Sequence, residues 1–153
     1  MPTPIIVETW NALATRSAHD YSGGGDYSGL DMSLAIYKGR FAEAPAVPSV
    51  YIGYISQTQE NGTTLTRYQG TMTFQLYCFA SGSSNYDRTV NAVNLGADVQ
   101  NRILEDRTLG LTAGRIDNIV FQSATVDGDR YGFNQVGVCI LQAEISFVSD
   151  RGL

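Results

Sequence analysis

The chain has 153 residues, a net charge of −5, 43% hydrophobic residues and a charged fraction of only 16%, below the quarter usual in soluble domains. That length suits one folded domain with a real core, and an aromatic content of 10% argues against a disordered chain. A single lysine, Lys38, and nine scattered arginines exclude a protein that holds nucleic acid by its phosphates, because that requires clustered basic residues.

The first segment, "TPIIVETWNALATRSAHD", places Ile5, Ile6, Trp10, Leu13 and Ala14 at helical spacing. Thr3 is the expected N-cap and Pro4 the expected first-turn residue. "DYSGGGDYSGLD", residues 20–31, holds three consecutive glycines and reads as a flexible loop or arm. "MSLAIYKGRF" is a short predicted strand, and "SVYIGYISQ" a second one with alternating faces. "TQENGTT", residues 58–64, contains Asn-Gly and predicts a hairpin turn. A third strand lies in "LTRYQGTMTFQLYCFAS", with Met72, Phe74, Leu76 and Cys78 on one face and Thr71, Thr73, Gln75, Tyr77 and Phe79 on the other.

After a Ser-rich break comes the main helix, predicted over about 85–106. Its expected apolar stripe is Tyr86, Val90, Val93, Ala97 and Leu104, widened by Ala92, Val99 and Ile103, with Asp98 among the polar residues opposite. "TLGLTAG" then turns the chain, with Leu109 and Leu111 plugging the core edge and Gly110 and Gly114 supplying the turn. "RIDNIVFQSATV" is the fourth predicted strand, "DGDRYGFN" (127–134) a second hairpin turn, and "QVGVCILQAEISFVSD" the fifth strand. Its apolar face is Leu141, Ala143, Ile145 and Phe147. The order helix, three strands, helix, two strands predicts an α+β domain spanning 1–153, a mostly antiparallel β-sheet with two α-helices packed on one face.

Groups for chemistry are scarce. His19 is the one histidine and sits at a helix end beside the glycine loop, where a solvated side chain is the ordinary reading. Asp20, Asp26 and Asp31 share that loop, whereas paired catalytic acids need rigid placement. "DGD" at 127–129 lacks the rest of a calcium loop. Cys78 and Cys139 read as small buried hydrophobes in a reducing compartment, with a disulfide as the alternative. The glycine runs match neither phosphate-cradling pattern. The expectation is no enzyme, no metal and no cofactor. "MPTPIIVETW" has no basic region of a secretion signal, and no run approaches the ~18 apolar residues that cross a bilayer. A soluble protein made inside the cell, with no membrane partner, is therefore expected.

Several stretches carry a resemblance. They are the N-terminal helix with "LAIYKGRF" and "PAVPSVYIGYI", the Thr-, Gln- and aromatic-rich "RYQGTMTFQLYCFA", the helix "DRTVNAVNLGADVQNRILED" running into "RTLGLTAGRIDNIVF", and the closing "VGVCILQAEISFV". In order and pattern, residues 33–149 resemble the tail terminator and tail-completion (neck, minor tail) proteins of long-tailed bacteriophages. Arg107 stands where that family usually has a proline, and the 20–31 loop is a lengthened arm. The resemblance implies a virion structural protein that caps the tail tube as a hexameric ring. Its partners would be copies of itself, the tail tube protein and a head-completion or connector protein, with DNA passing through the lumen unbound. Candidate interface residues are Tyr21, Asp26 and Tyr27 in the first loop, Gln59 and Asn61 in the hairpin, and Asp127, Asp129, Arg130 and Tyr131 in the last turn. The alternatives are a head-closure, connector or tail-tube subunit, or a carbohydrate-binding module that uses exposed tyrosines.

Overall fold

The structure is a computed structural model that describes residues 3–18, 36–39, 47–61, 68–111, 115–126 and 136–149; for 59–61 and 123 it describes the backbone. Among the described residues the elements follow in the order α1 (Ile5–Ser17), β1 (Ile36–Lys38), β2 (Ser49–Asn61), β3 (Tyr68–Ala80), α2 (Asn85–Leu104), β4 (Ile116–Val126) and β5 (Gly137–Ser149). The strands form one sheet of spatial order β1-β2-β3-β5-β4, antiparallel except for the parallel β1–β2 pair. Both helices pack on the same face through one apolar core. The fold class is α+β, as the order of elements predicts.

The strand alternation read from the sequence is the alternation observed. Met72, Phe74, Leu76 and Cys78 are wholly buried on the helix side, and so are Ala143 and Ile145 of β5, with Leu141 and Phe147 nearly so. Each fully buried side chain of this size contributes about 1.5–3 kcal/mol relative to exposure, which holds the register of β3 against β5. A one-residue slip would turn every one of these side chains to the other face.

Four features differ from the sequence reading: the cap and the buried stripe of α1, the extent of β2 and the phase of α2. In α1 the N-cap is Pro4, not Thr3. The Pro4 carbonyl accepts from Val7 N and Glu8 N at 3.0 and 3.1 Å, and no side chain caps the turn. The buried stripe of α1 is Ile5, Thr9, Leu13 and Ser17. Thr9 tolerates burial because its hydroxyl donates to the Ile5 carbonyl at 2.8 Å. β2 continues through residues 58–61, which were expected in a turn, because Thr58 through Asn61 pair in register with Thr71 back to Tyr68. β1, Ile36–Lys38, lies within the short strand predicted there.

The fourth difference is the phase of α2. Its buried residues are Ala92, Leu95, Gly96, Asp98, Val99 and Ile103, whereas Tyr86 is 76% and Val93 41% exposed. Of the expected stripe Ala92, Val99 and Ile103 are buried, and Leu95, Gly96 and Asp98, the last expected on the polar side, are buried with them. At Gly96 the helix comes so close to the sheet that a Cβ would stand 2.8 Å from Cys139 Sγ. Ser84 caps the helix with its hydroxyl, which accepts from Asp87 N at 3.1 Å.

Trp10 fastens α1 to the sheet. Its indole N–H donates to the Ile52 carbonyl at 2.8 Å, and its ring lies against Tyr54 and Phe74 at centroid distances of 6.4 and 6.3 Å. Arg16 Nη2 donates to the Arg102 carbonyl at 3.1 Å, and Glu8 pairs with Arg115 at 2.8 Å. These contacts tie α1 to the end of α2 and to the start of β4.

Candidate functional site

The junction between α2 and β4 has the form of a catalytic or phosphate-binding loop, but its polar groups are spent on the turn itself. Asp106 Oδ1 accepts from the Thr108 backbone N–H and hydroxyl at 3.0 and 2.6 Å, and Oδ2 accepts from Gly110 N at 3.1 Å. These bonds, the Thr108 hydroxyl first among them, hold the Asp106 carboxyl below its ordinary pKa, and the Arg16 charge adds to the effect. Arg107 donates to Asn118 Oδ1 and to the Ile119 carbonyl, each at 3.1 Å, and so ties the turn to β4. Leu109 adopts φ 56° and Gly110 φ 72°. The left-handed region costs a leucine about 1–2 kcal/mol, which burial of a side chain left 4% exposed offsets. Leu109 and Leu111 both pack on the core edge as expected. Gly114 lies outside the described residues.

The sheet face turned away from the helices is the broad surface of the described structure. Its residues form rows across the strands. At one end Tyr37, Tyr51 and Tyr77 line up across β1, β2 and β3. Tyr37 stacks on Tyr51 at 4.8 Å, and Phe79 meets Tyr51 edge-on at 5.6 Å. Desolvation, then the neighbouring Tyr37, raises the Tyr51 pKa. Phe79 and Val138 point to this face and are wholly buried. The middle rows are polar, with Gln75 beside Gln142 and Thr73 beside Glu144. Gln122 Nε2 donates to Glu144 Oε2 at 3.0 Å. At the far end a shallow depression of about 310 Å³ is lined by Thr58, Gln69, Thr71, Asp117, Ser146 and Val148 among others.

Of the interface candidates, Gln59 and Asn61 belong to β2, opposite Gly70 and Tyr68 and next to that depression, rather than to a turn. Tyr21, Asp26, Tyr27, Asp127, Asp129, Arg130 and Tyr131 lie outside the described residues, as do His19, Asp20, Asp31 and the 20–31 loop. Sequence reasoning passed over Tyr37 and Asp106. The signal for Asp106 was available as an Asp-x-Thr turn directly after a helix. The row of tyrosines was not available, because it depends on the parallel pairing of β1 with β2.

Among the described residues no group of three or more His, Cys, Asp or Glu side chains is placed to hold a metal ion. No described helix is long and apolar enough to cross a membrane. Cys78 and Cys139 are both free and buried. Burial, then the neighbouring Cys139, pushes the Cys78 thiol pKa well up, and burial raises that of Cys139.

No family model and no curated protein matches the sequence. Among solved structures, a chain of "Virion of native gene transfer agent (GTA) particle" shares the fold, with a TM-score of 0.52 and 14% sequence identity over 76% of this chain and 81% of that one.

Proposed function

We propose that this chain is a virion structural protein, the tail terminator of a phage neck, which caps the tail tube as a ring of about six copies and joins it to the head-connector complex. The observation that carries the reading is the fold shared with a chain of a virion particle across most of both chains. The sequence resemblance to tail terminators, which spans the same order of elements, adds the place in the neck. On this reading the chain acts through the shape of its sides, with heterologous contacts between copies that close into a ring, and it catalyses no reaction. A low charged fraction suits surfaces that become covered, and a net charge of −5 suits a lumen through which DNA slides without adhering. The segments 20–31 and 127–134, read from the sequence as loops, and the end of β2 at Gln59 and Asn61 are the proposed contacts to neighbouring copies and to the tail tube and connector proteins.

Native mass measurement followed by negative-stain imaging, alone and with tail tubes, tests this. Rings of about six copies on tube ends are expected. Rings at the head portal instead would reassign the chain to the connector, and stacked rings along the tube would make it a tube subunit. The row formed by Tyr37, Tyr51 and Tyr77 favours one reading from another class, a carbohydrate-binding module. A monomer in the presence of tube ends, with saturable binding to a sugar, would replace the structural role with that one.

A further inference from the structure

Two buried thiols in this fold are used by nothing described above, and the sheet sets them face to face. The β3–β5 ladder runs without a bulge from Tyr68↔Ser149 to Ala80↔Gly137, and within it Cys78 is the direct partner of Cys139. Both belong to the core under the helices. Directly opposed residues on antiparallel strands hold their Cβ atoms about 4.5–5.5 Å apart. A disulfide needs about 3.5–4.5 Å between Cβ atoms, with Cα atoms 4.4–6.8 Å apart. An approach of about 1 Å, with rotation about each Cα–Cβ bond, therefore separates the observed pair from a bonded one. On the helix side the Cys139 sulfur rests against Gly96, where an added Cβ would stand only 2.8 Å from it, so the absence of a side chain at that position is what gives the sulfur its room.

We propose that Cys78 and Cys139 form a latent cross-strand disulfide, closed by exchange with a small disulfide such as oxidised glutathione when the chain meets one. In the first step one cysteine thiolate attacks the small disulfide. A mixed disulfide forms and one small thiol leaves. In the second step the other cysteine thiolate attacks the protein sulfur of that mixed disulfide. The Cys78–Cys139 bond forms and the second small thiol leaves. Two electrons and two protons pass from the cysteine pair to the small disulfide, which is reduced to two thiols. Burial keeps the thiols protonated and covered, so the folded reduced chain reacts slowly and closure runs through folding or through lifting of α2. The bond would bracket a loop containing α2 and β4, which constrains the unfolded chain.

The test uses the isolated full chain, so its result does not depend on whether that chain forms a ring. The chain is refolded from urea in glutathione buffers of graded reduced-to-oxidised ratio, and a parallel set is held in urea. Each sample is quenched, alkylated and weighed, and the closed form is recognised by two missing hydrogens and no alkyl groups. Closure in the folded set is expected at a ratio about ten-fold more reducing than in the unfolded set. By the same linkage, the closed chain is expected to unfold at higher urea than the reduced one. Cys78→Ser and Cys139→Ser should each abolish the closed species. The proposal is overturned if the closed chain unfolds at lower urea than the reduced chain. It is equally overturned if the folded set accumulates single glutathione adducts without closing.

Discussion

Substitution of Gly96 by alanine sets two effects of known size against each other. In an exposed helix interior, alanine is worth about 1 kcal/mol over glycine. At position 96 the added methyl would stand 2.8 Å from Cys139 Sγ, 3.5 Å from its Cβ and 3.8 Å from Leu141 Cδ2. The first distance is far inside contact, and accommodating it in a packed core costs about 1–3 kcal/mol. The net expectation for Gly96→Ala is a loss of about 1 kcal/mol. In a Cys139→Ala background the sulfur is gone and the remaining distances are ordinary contacts. There the same substitution should stabilise by about 1 kcal/mol, a coupling of about 2 kcal/mol and within the range for touching residues. Urea unfolding under reducing conditions, followed by the fluorescence of Trp10 where it packs on Phe74, reads all four members of the cycle. If Gly96→Ala stabilises the otherwise unaltered chain as much as it does the Cys139→Ala chain, the close approach of α2 to β5 is wrong.

Three further outcomes follow from local geometry. Gly137→Ala should destabilise by about 3 kcal/mol or more, because its Cβ would fall 2.0 Å from the Arg88 carbonyl oxygen, a backbone atom that cannot step aside; a urea midpoint within error of the parent would refute this packing. Ser84→Ala should lower stability by about 1 kcal/mol through loss of the bond to Asp87 N, and Ser84→Gly should lower it less; both are read as shifts in urea midpoint at constant slope. Asp106→Ala should be less stable than the parent at neutral pH. Because folding depresses the Asp106 pKa, that difference should be complete above about pH 4 and shrink as the solution is acidified through the folded-state value. A difference that grows on acidification would contradict the turn described here.

The sheet was far more legible in the sequence than the helix that covers it. Alternation along β3 and β5 sorts Met72, Phe74 and Leu76 from Thr71, Thr73 and Gln75 with no ambiguity, because large apolar and polar residues take turns. In α2 the buried side mixes Leu95, Val99 and Ile103 with Ala92, Gly96 and Asp98, so apolar character alone does not mark it. Tyr86 and Val93, which are apolar too, are left exposed. Thr9 was hidden for a different reason, since a polar residue whose hydroxyl bonds to its own helix looks like a solvent-facing one. Neighbours across the sheet were the least legible part. Adjacency of Tyr37 to Tyr51, or of Cys78 to Cys139, is a property of strand pairing and has no counterpart in local pattern. The turn at Asp106 does carry a local signal, the Asp-x-Thr spacing directly after the helix.

The spatial order of the strands bears on how the chain can be completed as it is synthesised. β5 lies between β3 and β4, and α2 rests mainly on β5 and β3. A nascent chain that has produced everything through β4 therefore has an edge with no neighbour for β4 to join, and a helix whose inner side has lost its chief support. Only when β5 leaves the ribosome and slots between β3 and β4 can this part of the layer close. Premature termination anywhere before residue 137 should yield a product that chaperones and proteases recognise as unfinished.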